Sequence, residues 1–70
     1  MINIHLLLKY NASLHIAKVS KANNKYVHIT ISNDDAKIAT DFEADYFAAF
    51  SVELINALLD EFEKEVKSNE

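Results

Sequence analysis

The sequence predicts an α+β fold: a four-stranded antiparallel sheet (ββββα) with one long or broken C-terminal helix packed on one face. Three observations carry this. Apolar residues alternate with period two through the first half of the chain; Asn and Asp cluster between the alternating runs; and the period changes to about 3.6 near residue 40.

In the first run Ile2, Ile4, Leu6 and Leu8 alternate with Asn3, His5, Leu7 and Lys9, which predicts a strand over Ile2–Lys9 with Leu7 breaking its polar face. The segment 10–13 interrupts it, and Leu14–Ser20 predicts a second strand, apolar on both faces. Residues 21–25 form the next turn, because Asn accepts a positive φ more readily than other residues in a chain without glycine. Tyr26–Ser32 alternates most cleanly, with Val27, Ile29 and Ile31 on one face and Tyr26, His28, Thr30 and Ser32 on the other. The triplet Asn33-Asp34-Asp35 predicts a turn, and Ala36–Ala39 a short fourth strand.

Thr40-Asp41-Phe42-Glu43 has the spacing of a capping box and predicts a helix from Asp41 to about Lys67. Early acids suit its positive end, and Lys64 and Lys67 its negative end. Such a helix would run roughly 40 Å against about 23 Å for a seven-residue strand, so it must overhang the sheet or bend, most readily at Ser51. Phe47, Phe50, Leu54 and Leu58 form one stripe on it, and Ile55, Leu59, Phe62 and Val66 widen the apolar arc toward 180°.

Composition bounds the function. Seventy residues, half of them apolar, make one small domain, 1–70, with one thin core and little room for a deep cleft. Without Cys there are no disulfides, thiolate metal sites or thiol nucleophiles; without Gly, no glycine-rich phosphate loop. Without Arg, the bidentate readers of phosphate and guanine are missing, which disfavours direct nucleic-acid binding. No apolar run, Leu6–Leu8 included, approaches the roughly 18 residues of a membrane span, and the expectation is a cytoplasmic protein.

No constellation of catalytic residues stands out. His5 and His28 are expected on one open sheet face near Lys18, but no carboxylate in the strands completes a metal site, and the serines have no His with an orienting acid. The reading is a non-enzymatic chain with no cofactor and no metal.

What remains is surface. The wide helical arc leaves Ile55, Leu59 and Val66 beyond what one sheet face would cover, and Leu7 with part of the second strand faces away from the helix. If Val19 pairs with Val27, the outward set is Leu7, Leu14, Ile16, Tyr26 and His28; the other register turns out Ala17 and Val19. Exposed apolar clusters mark protein contacts. Charge divides along the chain, +3 over residues 1–40 and −7 over 41–70, for a net −4. The candidate partner-binding residues are therefore Glu53, Asp60, Glu61 and Glu65 for steering and Leu7, Ile16, Tyr26, Ile55 and Leu59 for apolar contact.

From His15 to Phe50 the predicted order of two strands, a turn, a short strand and Asp45-Tyr46-Phe47-Ala48-Ala49-Phe50 opening a helix is similar to the later part of ribosome hibernation-promoting factors. The likeness covers about half the chain and implies a ribosome- or RNA-associated factor. Acids stand here where that family has a basic helix, so RNA binding does not carry over. In kind, a tiny acidic domain with leftover binding surface also resembles phage-encoded inhibitors of bacterial defence, anti-CRISPR proteins among them. The expected function is an inhibitor or modulator of a partner with a basic, nucleic-acid-handling surface. The alternatives are a small homodimeric structural or adaptor protein and an RNA-associated factor.

Overall fold

The structure, a computed structural model, describes residues 1–43 and 52–69. It is α+β: a helix α1 (Ile4–Lys9), strands β1 (Ser13–Lys21), β2 (Asn24–Ser32) and β3 (Lys37–Glu43), and a helix α2 (Val52–Ser68). The sheet is antiparallel in the order β1-β2-β3.

The predicted first strand, Ile2–Lys9, is in fact largely α1, so the sheet has three strands rather than four among the described residues. Leu6 is buried and Leu7 and Tyr10 half-buried, while Ile4, His5, Leu8 and Lys9 are exposed, a pattern with a helical period. Leu and Lys favour that helix, and the even-position alternation was already broken at Leu7. Asn11, at φ 51°, ends it. The Ala12 amide donates to the Leu7 carbonyl (2.8 Å) and the Asn11 amide to Leu8 (3.3 Å), the paired bonds of a Schellman motif.

The β1–β2 connection is the two-residue turn Ala22-Asn23, flanked by the pair Lys21 and Asn24. Both turn residues have positive φ, 48° and 68°, as a type I′ hairpin requires. Asn23 suits that region and Ala22 does not, because a Cβ crowds the backbone there. Ala22→Gly is expected to raise unfolding stability by about 0.5–1 kcal/mol, read as a higher urea midpoint at unchanged slope; a lower midpoint would contradict this turn geometry.

Asn33 organises the β2–β3 connection. Its Oδ1 accepts from the Asp35 and Ala36 amides, both at 2.8 Å, and its Nδ2 donates to the Tyr10 carbonyl at 2.9 Å. One side chain thus closes the turn and ties it to the end of α1. Beyond it β3 runs past the predicted Ala39 end to Glu43, with Thr40 opposite Ile29 and Phe42 opposite Val27. The predicted capping box is therefore strand. Ile38, Thr40 and Phe42 continue the period-two alternation, and a full ladder with β2 outweighs one cap.

The helix described begins at Val52, not Asp41. The predicted break at Ser51, the aromatic positions Phe47 and Phe50 and the hexapeptide 45–50 lie outside the described residues. Seventeen residues span about 26 Å and nine-residue strands about 30 Å, so α2 has no overhang to resolve. It buries a narrow stripe, Ile55, Leu59, Phe62 and Val66, against Leu6, Ile31 and Ala36. Ile2, Leu7, Leu14, Ile38 and Leu58 pack around this core.

Candidate protein-contact surfaces

Register decides which side chains remain at the surface. Val19 pairs with Tyr26 and Lys18 with Val27, so Leu14, Ile16 and Lys18 share the helix-facing side with Val27, Ile29 and Ile31. The open face carries His15, Ala17 and Val19 on β1, Tyr26, His28 and Thr30 on β2, and Ala39, Asp41 and Glu43 on β3. A one-residue shift from the Val19–Val27 pairing has exchanged the two faces of β1 and removed Leu14 and Ile16 from the outward set.

The predicted contact residues separate accordingly. Ile55 and Leu59 are buried, at 4% and 0% exposure, and cannot serve as free contact surface. They were expected in excess because one sheet face covers only part of the helical arc; the other part is covered by α1, through Leu6. Leu7 is half-buried against the same core. Ile16 is 42% exposed, on the helix-facing side of edge strand β1. Tyr26 is half-buried on the open face. Exposed apolar side chains that the sequence reading had turned inward lie on α1, Ile4 and Leu8 at 56% and 73%, one turn apart.

The acidic candidates are exposed. At about 100° per residue, Glu53 and Asp60 lie on the flank of α2 nearer α1, and Glu61 and Glu65 on the opposite flank. Lys64 sits between them and reaches Glu61 at 3.4 Å, an exposed pair that contributes little stability. Among the described residues, no ion pair engages Glu53, Asp60 or Glu65.

Two polar groups that sequence reading missed hold α1 on α2. Asn56 accepts from the Asn3 amide (2.8 Å) and donates to the Met1 carbonyl (3.0 Å). Two turns on, Glu63 accepts from the Tyr10 hydroxyl at 2.8 Å and lies within 4.0 Å of Lys9 and 3.9 Å of Lys67. Their seven-residue spacing on one flank of the apolar stripe is the signal in the sequence. Between the two, Asn3, His5, Lys9 and Asp60 border a shallow open groove.

On the open face, Asp41 stands directly opposite His28, and its Oδ1 contacts His28 Nδ1. A carboxylate only accepts, so Nδ1 carries the proton, and Nε2 accepts from the Thr30 hydroxyl at 3.1 Å in the neutral ring. This orders hydroxyl, imidazole and carboxylate as in a general-base relay. The three groups stand on the open face of the sheet, and their evident effect is to tie β2 to β3. His5 lies on α1 and not beside His28, and Lys18 is on the other face, so the expected histidine pair does not form. Among the described residues, no three His, Asp or Glu side chains come together to hold a metal ion, and no helix is long and apolar enough to cross a membrane. No family model, curated protein or solved structure matches the chain.

Proposed function

We propose that this protein is a non-enzymatic binding module that occupies a basic, nucleic-acid-handling surface of a protein partner, as an inhibitor or modulator of the anti-defence kind. The observation that supports this reading is the exposed acidic surface of α2, where Glu53, Asp60 and Glu65 project from a helix anchored by its buried stripe. Carboxylates on a rigid helix keep their spacing, so the field they present to a cationic surface is preorganised; it speeds encounter and orients docking. Contact would centre on these acids, with exposed Ile16 and half-buried Tyr26 as the remaining apolar candidates. The protein would act in the cytoplasm, where such a partner works.

The test compares the wild type with the variant Glu53→Gln, Asp60→Asn, Glu61→Gln, Glu65→Gln as baits in extracts of the native host. A nucleic-acid-binding protein retained by the wild type, lost from the variant and released at raised salt is the expected result. With that partner purified, the variant's association rate should fall most at low ionic strength. Equal retention by both baits, or an association rate indifferent to the four acids, would refute the reading.

One observation favours a second reading. The hairpin gathers Lys18, Lys21 and Lys25 near its tip, whereas Lys9 and Lys37 lie elsewhere. A salt-sensitive shift of RNA abolished by Lys21→Gln with Lys25→Gln would place the protein with RNA-associated factors instead.

A further inference from the structure

We propose that β3 is a self-complementary edge through which two copies of this chain join their sheets into one six-stranded antiparallel sheet. Among the described residues β3 is the last strand of the sheet, so the outward amides and carbonyls of Lys37–Glu43 have no strand beside them. An edge of this kind accepts another strand, and the side chains decide which.

The sequence of β3, Lys-Ile-Ala-Thr-Asp-Phe-Glu, matches its own reverse in chemistry. Antiparallel pairing of two copies about Thr40 sets Lys37 opposite the partner's Glu43 and Ile38 opposite the partner's Phe42. It sets Ala39 opposite the partner's Asp41, and Thr40 opposite its own copy at the dyad. By the two-fold, each unlike pair occurs twice. The Lys–Glu pairs are opposite charges in directly facing positions, the Ile–Phe pairs extend the helix-facing apolar layer, and paired threonines hydrogen-bond across strands. Ile38 and Phe42 are only half-buried in the monomer, while Lys37 and Glu43 are exposed.

The other edge lacks this property. Pairing β1 with its copy about Ala17 sets Ile16 against Lys18 and Ser13 against Lys21, so four lysines lie along the seam with no acid in either strand to pair them. Lysines on an edge strand oppose such pairing. The occupant of the β3 edge is therefore a second copy of this chain. Because the dyad of an antiparallel pair is perpendicular to the sheet, both α2 helices fall on one face. The dimer would then present two acidic helices side by side, independently of whether a basic partner is their target.

Sedimentation of the full chain from micromolar to millimolar concentration, with the charge variants Lys37→Glu, Glu43→Lys and their double exchange, tests the proposal. The wild type is expected to dimerise, and each single variant to dissociate about tenfold more readily or worse, since every Lys–Glu pair becomes a like-charge pair. The double exchange restores the opposite pairing and the dimer. An equimolar mixture of the two single variants should form the heterodimer in preference to either homodimer. Circular dichroism of each variant separates loss of dimer from loss of fold, and the mixing result cannot arise from a misfolded chain. A wild type that stays monomeric at millimolar concentration, or a dimer unmoved by the single exchanges, overturns the proposal.

Discussion

Phe62→Ala is expected to remove about half of the chain's unfolding free energy at room temperature. Among the described residues Phe62 is the largest fully buried side chain, at 0% exposure, packed with Leu59, Ile31 and Leu6 where α1, α2 and the sheet meet. Removing a buried phenyl ring costs about 3–5 kcal/mol, because the cavity left behind collapses only in part. A domain of this size holds roughly 4–10 kcal/mol in total. Leu59→Ala, at the next contact along the stripe, is expected to cost about 2–5 kcal/mol. Ile16→Ala, at a position 42% exposed on the sheet edge, should cost under about 1 kcal/mol. Urea unfolding followed by circular dichroism ranks the three. Leu59→Ala as mild as Ile16→Ala would mean that Leu59 serves a surface and not the core.

The second large effect concerns α1. Six residues cannot sustain a helix alone in water, so α1 exists through its packing on α2. Leu6→Ala is expected to cost about 2–3 kcal/mol. Asn56→Ala, which frees the Asn3 amide and the Met1 carbonyl at an exposed position, should cost about 1 kcal/mol. The informative measurement is amide exchange: the Tyr10 and Ala12 amides, bonded to Leu6 and Leu7 carbonyls, should lose protection in Leu6→Ala well before the amides of β2. Simultaneous loss in both regions would show that α1 and the sheet open as one unit. Release of α1 also uncovers one flank of the Ile55, Leu59 and Phe62 stripe, so Leu6→Ala is expected to form aggregates larger than a dimer at concentrations where the wild type does not.

The buried stripe of α2 and the docking of α1 are one fact seen from two sides. Read as a strand, residues 2–9 leave the helix with more apolar arc than a sheet can take, and the excess looks like an interface. Read as a helix, the same residues provide the second cover, and Ile55 and Leu59 become interior. The alternation of Ile2, Ile4, Leu6 and Leu8 misleads because so short a pattern fits period two or 3.6 almost equally well. Among the described residues, the predicted contact candidates still at the surface are the acids of α2, Tyr26 on the open sheet face and the edge position Ile16, to which α1 adds the exposed pair Ile4 and Leu8.

Local sequence determined the parts that local physics governs: the β2 alternation with its inward Val27, Ile29 and Ile31, the asparagine and aspartate turns, the helical period after residue 52 and the acidity of α2. Each depends on residues a few positions apart, and no distant contact was needed to read it. Tertiary structure alone decided the register that turned Leu14 and Ile16 toward the helix, the extension of β3 through the apparent capping box, and the conversion of the first run into a helix clamped by Asn56 and Glu63. All three are competitions between local options of nearly equal free energy, and the burial of a shared core settles them.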